Sequence, residues 1–440
     1  MSSLLSKSLA SLSLRARVVL PAQHANYVTA SAAVYAAKAK KAAAPKKAKG
    51  QSNSFKKKAK STDEGEGGSG GAGRLNEKYY KPAIPVKVEE FLPSSASTEN
   101  IGRVLGFPVN VQPSLELATF PTLLKEQFAL IKPAALAVRE PTISLLDKLD
   151  SAMQKPSSEN RMVLTGESGS GKSALLMQAV SHCLSAGWVV IYVPNATSWV
   201  NSSFAYNKVG GTTNFVQPVL ASQIAGQVAK TNKSILSKLT LSANVKIGRH
   251  DMEKGTTLSA LLEQAVKDQY SAQDAMEVLM KELSAQKEVP TLIAVDEVNA
   301  LFKPTQYLDT KANEMDPDHL LLPRLFLNYI SGKASLGQGA VVAATSDSPI
   351  ANQSEALHVA LGVKQVSPYK KLPEGIMSWT TGLTNIPVPA YTRAEAKGVF
   401  DYYKKGSIIY DAPTEELFLN RFITSNGNPR KFFTACAKGI

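Results

Sequence analysis

Residues 166–173 read Gly166-Glu167-Ser168-Gly169-Ser170-Gly171-Lys172-Ser173 and satisfy the phosphate-loop pattern G-x-x-x-x-G-K-[ST]. Backbone N–H groups of such a loop wrap phosphate oxygens, and the helix that follows adds partial positive charge at its N-terminus. Lys172 is placed to reach the β- and γ-phosphates, and the Ser173 hydroxyl to hold Mg²⁺. A second acidic element follows the apolar run Leu292-Ile293-Ala294-Val295, where Asp296 and Glu297 stand in the Walker B arrangement. Asp296 would share the Mg²⁺ shell with Ser173, and Glu297 is the candidate catalytic base that could polarise an attacking water. Thr345, at the end of the apolar run Ala340–Ala344, could touch the γ-phosphate or that water. Arg430, in Asn426-Gly427-Asn428-Pro429-Arg430, stands at the start of a C-terminal helix and could reach back to the phosphates. Arg139 and Glu140 stand just before the first helix and are candidates for contact with the base and ribose of a bound nucleotide. The ordinary roles of a loop acid, a hydroxyl bonded to local backbone and a surface arginine stay open for Glu297, Thr345 and Arg430.

The elements that must position these residues are readable as alternating apolar runs. Strands are predicted near 161–165, at Trp188–Val193, at Thr291–Val295 and at Ala340–Ala344. Pro141 opens a helix over about 141–154, with Ile143, Leu145, Leu146 and Leu149 at helical spacing. A further helix runs on from Ser173. Strands alternating with helices indicate an α/β fold, a parallel sheet with helices on both faces. Far more chain lies between the second and third strands than a crossover needs, so a helical insertion is expected over about 200–285, including a helical stretch from Thr257 to Leu283. Thr392 and Glu395 form a capping box at the start of a C-terminal helical lid, 391–440. The nucleotide-binding domain then spans 141–390, and residues 79–140, rich in Pro and apolar residues, wrap it.

Charge is unevenly distributed. The net charge is +14, but residues 1–60 hold 13 Lys/Arg and no acid, which leaves 37 basic against 36 acidic groups beyond them. The folded part is therefore nearly neutral, and a nucleic-acid partner cannot be argued from its bulk charge. Residues 1–30, rich in Ser, Ala and Leu with Lys7, Arg15 and Arg17, fit a mitochondrial transit peptide. Residues 31–78 form a basic and Gly-rich flexible extension, expected to be disordered, whose lysines could lie along phosphates or simply be solvated. Two cysteines, Cys183 and Cys436, make neither a disulfide framework nor a metal pattern, and no run of 18 apolar residues suggests a membrane span.

The layout resembles the AAA+/STAND class of P-loop NTPases. Within it the chain resembles the death-associated protein 3 family of mitochondrial small-subunit ribosomal proteins over roughly 115–440. The stretches that carry the likeness are Val138-Arg139-Glu140, the loop 166–173, Trp188 to Val200, Leu292 to Phe302 and Phe422 to Ala437. The resemblance implies a protein of the mitochondrial matrix, in the head of the small ribosomal subunit near the large-subunit interface, with rRNA and ribosomal proteins of both subunits as partners. It implies a purine nucleotide with Mg²⁺ as a largely structural ligand. ATP, GTP and the diphosphates stay open, because Asn207-Lys208-Val209-Gly210 lacks the Asp of a guanine signature. Two positions depart from the family pattern: Glu297 stands where Gly is usual, and Arg430 where residues vary. Both retain hydrolytic apparatus and leave room for slow turnover.

Two alternatives belong to other classes: an active AAA+-type ATPase or chaperone working as a ring, and a nucleotide-switched signalling protein. Ring ATPases draw a trans-acting arginine from the segment after the fourth strand, and 346–392 contains none. A ring homo-oligomer is therefore not expected. No exchange device for a switch is evident.

Overall fold

A computed structural model describes residues 85–346, 354–365, 372–409 and 411–437. The expected transit peptide, the basic extension and the first residues of the wrapping segment lie outside the described residues.

The centre is a five-stranded sheet. Its strands are β1 (Arg161–Thr165), β2 (Val189–Val193), β3 (Thr291–Val295), β4 (Gly339–Ala344) and β5 (Thr384–Pro387), in the order β5-β1-β4-β3-β2. Every neighbouring pair is parallel. β2, β3 and β4 are buried at every position, which is why they read as unbroken apolar runs. Alternate residues feed two cores. Val163, Ile191, Ile293 and Val341 face one; Leu164, Tyr192, Ala294 and Val342 face the other.

The sequence predicts four strands, and the structure adds β5. Its segment, Thr-Asn-Ile-Pro, buries only Ile386, and Pro387 is tolerated because β5 lies at the edge of the sheet. The stretch predicted as helical from Thr257 to Leu283 is two helices, Leu258–Lys267 and Ala272–Ala285. Between them Asp268 accepts from the Tyr270 N–H at 3.1 Å while the Ser271 hydroxyl donates to the Asp268 carbonyl at 2.8 Å, local bonds that end one helix and start the next. These two helices pack with Pro218–Thr231 against the first core. Two short antiparallel ribbons, Asn207–Lys208 with Phe215–Val216 and Val245–Ile247 with His250–Met252, complete the insertion.

On the other face, the helix Glu140–Ala152 packs beside Lys172–Ser185 through Leu145, Leu146 and Leu149. The preceding segment adds the helices Gln112–Ala118 and Thr122–Leu130 and the antiparallel pair Val104–Gly106 with Ala135–Ala137. At the C-terminus, Arg393–Lys405, Glu415–Ser425 and Pro429–Cys436 form a helical lid around a third core that includes Phe400, Phe418 and Phe432. The capping box closes as the spacing predicts: Thr392 Oγ1 accepts from the Glu395 N–H at 3.2 Å, and Glu395 accepts from the Thr392 N–H at 2.9 Å.

Candidate functional site

The phosphate loop connects β1 to the helix Lys172–Ser185 at the carboxyl end of the sheet. β4 lies between β1 and β3, so Thr345 is set between the loop and Asp296. β1, at the point where the chain crosses to opposite sides, is flanked by the latest strands, the position at which open parallel sheets bind ligands.

The loop is held open by bonds to its carbonyls. Lys172 Nζ donates to the carbonyls of Gly166 at 2.6 Å and Glu167 at 2.9 Å. Asn428 Nδ2 donates to the Ser168 carbonyl at 2.9 Å, the Arg430 N–H to Gly169 at 3.2 Å, and Arg139 Nη1 to Ser170 at 3.0 Å. These bonds tie the loop to its own lysine, to the lid and to Arg139, and the Ser170 N–H closes a turn on the Glu167 carbonyl at 3.1 Å. The helix that starts at Lys172 begins at this loop, and the partial positive charge of its N-terminus suits an anion.

Ser168, Gly169, Gly171, Lys172, Ser173, Asp296, Glu297, Thr345 and Arg430 line one cavity of about 540 Å³. Phe120, Leu124, Phe128, Leu136, Tyr402 and Phe433 wall the same cavity elsewhere, supplying an apolar, partly aromatic chamber beside the polar loop. That pairing of an anion cradle with an apolar slot suits a nucleotide, phosphates at one side and a flat base at the other.

Asp296 is 3% exposed. Burial, the largest influence, pushes its carboxyl up to about 7; the Ser173 hydroxyl bond and the Glu297 N–H oppose this, the Glu297 charge adds to it, and Lys172 opposes it. The Glu297 N–H donates to Asp296 Oδ1 at 2.9 Å. The half-buried Ser173 hydroxyl and the buried Asp296 carboxylate, both on the cavity wall, form an oxygen donor set suited to Mg²⁺, whose charge would offset the cost of burying the ionised acid.

The structure places the other predicted residues as follows. Thr345 lies in the cavity wall, but its hydroxyl donates to the Leu164 carbonyl at 3.2 Å. Gly166, Glu167 and Ser170 belong to the loop but are not in the cavity wall; Ser170 Oγ is buried without a hydrogen-bond partner. Arg139 is buried and acts on protein: beyond Ser170 it bonds the Pro389 carbonyl at 2.7 Å, the Ala390 carbonyl at 3.1 Å and Glu395 at 3.4 Å, and its guanidinium lies 4.8 Å from the centre of the Tyr391 ring. Glu140 is exposed, in the first turn of its helix and outside the cavity. Arg430 is exposed at the cavity and docks through its backbone. Glu297 has φ 58 and ψ 35, a left-handed conformation that glycine adopts without strain.

Residues without an assigned role in the sequence reading also build the site. Asn299 is wholly buried and clamps the residue after Thr345: its Oδ1 accepts from the Ser346 N–H and its Nδ2 donates to the Ser346 carbonyl, each at 2.8 Å. Asn428 caps the helix Pro429–Cys436 while bonding the phosphate loop. Only the pattern Asn-Pro-Arg near the loop's expected lid hinted at Asn428.

The family of mitochondrial ribosomal death-associated protein 3 matches residues 136–435. Relatives include the small ribosomal subunit protein mS29 of Schizosaccharomyces pombe, 29% identical across 71% of this chain and 66% of its own length, just under two thirds. The proteins of the same name from Mus musculus and Bos taurus are 28% and 27% identical, across 69% and 78% of this chain and 77% and 86% of theirs. A solved structure of Aeropyrum pernix ORC2 in its ADP form, at 13% identity and TM-score 0.32 over 67% of this chain and 59% of its own, is too distant to bear on the site. With two thirds of its length inside the family match and the loop, acid and lid in one cavity, the chain belongs to the mitochondrial ribosomal death-associated protein 3 family.

Proposed function

We propose that the chain is a structural component of the small subunit of the mitochondrial ribosome, working in the mitochondrial matrix, and that it holds a purine nucleotide with Mg²⁺ mainly as a structural ligand. Family membership and relatives named for the small ribosomal subunit support the ribosomal reading. The observation that carries the ligand reading is the attachment of the lid to the phosphate loop itself, through Asn428 on Ser168 and Arg430 on Gly169. A nucleotide in this cavity would touch loop, Asp296 and lid at once and tie the lid to the sheet. Ser173 and Asp296 would hold Mg²⁺, which supplies neutralisation of phosphate charge; Ser168, Gly169, Gly171, Lys172, Ser173, Thr345 and Arg430 would surround the phosphates, while Arg139 braces the loop through the Ser170 carbonyl. Partners are small-subunit proteins and rRNA, with large-subunit proteins across the interface. No helix among the described residues is long and apolar enough to cross a membrane.

Slow hydrolysis is a second reading, favoured by Glu297 in the cavity wall. Binding and turnover of ATP and GTP by the purified full chain and Lys172→Ala separate these. The structural-ligand reading expects saturable binding that Lys172→Ala weakens, with a thermal shift reaching about 4 kcal/mol at 1,000 times Kd. No binding by the natural chain would refute it, and rapid turnover rising with protein concentration would favour a ring ATPase.

A further inference from the structure

The chamber beside the phosphate loop is walled mostly by apolar side chains, which hold a flat ring without telling one purine from another. Gln127 also lines it, but its amide carries both donor and acceptor and suits either base. The discriminating groups are main-chain. Ala135, Leu136 and Ala137 line the cavity consecutively, so the strand borders it with an edge rather than with one face.

The polarity of that edge follows from the register. The strand pairs antiparallel with Val104–Gly106, Gly106 opposite Ala135 and Val104 opposite Ala137. Bonded and non-bonded positions alternate in such a pair. The Phe107 N–H donates to the Ala134 carbonyl at 3.2 Å and the Val138 N–H to the Arg103 carbonyl at 2.9 Å, which makes Ala134, Leu136 and Val138 the bonded positions. Gly106 agrees, because its N–H donates to the Glu89 carbonyl and its carbonyl accepts from the Phe91 N–H on its far side. Ala135 and Ala137 therefore turn their main-chain groups away from Val104–Gly106. Gln178 Nε2 takes the Ala137 carbonyl at 3.0 Å, and the Thr142 hydroxyl, donating to Gln178 Oε1 at 3.0 Å, orients that amide. The Ala135 N–H, the Ala135 C=O and the Ala137 N–H take no partner among the described residues. Along the edge they read donor, acceptor, donor.

Adenine suits that order: its 6-amino group donates to the Ala135 carbonyl while N1 accepts from a flanking N–H. Guanine can pair O6 with one N–H and N1–H with the carbonyl. Its 2-amino group then faces the remaining N–H, donor against donor, whichever way the base is turned. Two donors left unpaired in a desolvated site oppose binding.

We propose that the free edge of Ala135–Ala137 reads the base of the bound nucleotide and selects adenine over guanine. This rests on the nucleotide reading and names the base which that reading leaves open.

The test is calorimetric binding of ATP, GTP, ITP and 1-deaza-ATP to the full chain with Mg²⁺. ITP lacks the 2-amino group of GTP, and 1-deaza-ATP carries C–H in place of N1. The expected result is that ATP binds about tenfold more tightly than GTP and about tenfold more tightly than 1-deaza-ATP, each the size of one net hydrogen bond. ITP binds more tightly than GTP, because nothing on it faces the second N–H. Ala135→Pro and Ala137→Pro then assign the effect to the strand. Each removes one edge N–H and no ladder bond, since both N–H groups point away from the paired strand. In one of the two, whichever N–H pairs with N1, ATP and 1-deaza-ATP bind equally. GTP as tight as ATP, 1-deaza-ATP as tight as ATP, or a full N1 effect surviving in both proline variants overturns the inference and leaves the nucleotide reading standing. The comparison of nucleotides on the natural chain needs neither variant to fold. No binding of any of the four by the natural chain overturns both.

Discussion

Gly169→Ala isolates the contact between the phosphate loop and the lid. Gly169 has φ +83, and a Cβ built there would sit 2.8 Å from Arg430 Cβ and 2.8 Å from Asn428 Oδ1. The left-handed backbone alone costs an alanine roughly 1 kcal/mol. Relieving the overlap requires the start of the helix Pro429–Cys436 to move off the loop, which breaks the Asn428–Ser168 and Arg430–Gly169 hydrogen bonds. Each is worth about 1 kcal/mol net, so the total is about 3 kcal/mol. Gly187→Ala is the matched control: its φ is +77 and nothing lies within 4 Å of the added Cβ, so it pays only the backbone cost. Hydrogen exchange of the lid amides is the assay, because it reports local opening. Exchange in Arg393–Lys405 and Pro429–Cys436 should accelerate roughly 30-fold more in Gly169→Ala than in Gly187→Ala, the equivalent of about 2 kcal/mol. Equal exchange in the two variants would refute the docking of lid on loop as an energetic link.

Asp296 gives a pH signature. Its carboxyl in the fold sits at about 7, above the unfolded value of roughly 3.9, so the native state holds the proton more tightly than the unfolded chain. Without metal, stability is therefore withdrawn as pH rises from about 4 to about 7, at about 1.4 kcal/mol per pH decade, and the full loss remains above that window. Asp296→Asn should lack this slope and melt higher than the natural chain at pH 8 in EDTA; parallel pH profiles would contradict the burial argument. Glu297→Gly should stabilise the ligand-free fold by about 1 kcal/mol in denaturant titration, because φ 58 suits glycine, while abolishing whatever turnover exists. Asn299→Ala should cost about 2–3 kcal/mol by removing the buried clamp on Ser346, and should weaken nucleotide binding through the displaced Thr345. Arg139→Lys should lower the hydrogen-exchange protection of the lid relative to the natural chain, since one ammonium cannot bond the Ser170, Pro389 and Ala390 carbonyls in the planar fork of a guanidinium.

What the sequence made legible is local. The phosphate loop is legible because a short run of glycines with Lys172 and Ser173 determines its own backbone, and β2, β3 and β4 because complete burial demands unbroken apolar runs. The capping box of Thr392 and Glu395 spans three residues and is equally direct. The roles that escaped are made by distance. Asn428 reaches Ser168 across 260 positions of chain, Asn299 reaches Ser346 across 47, and Arg139 meets Pro389 across 250. No periodicity encodes such meetings. β5 escaped because an edge strand with one buried residue has no apolar run to read. Glu140 reads as part of a motif with Arg139, yet the helix that starts between them turns the first inward to the loop and the second out to solvent.

Small ribosomal subunits isolated from mitochondria expressing either the natural chain or Lys172→Ala, with the bound nucleotide extracted and identified by mass spectrometry, test the central claim most directly. The structural-ligand account predicts about one purine nucleotide per copy of the natural chain, lost in Lys172→Ala together with much of that chain's incorporation into the subunit. Natural subunits devoid of nucleotide at this chain, or Lys172→Ala incorporated normally without it, would contradict the account.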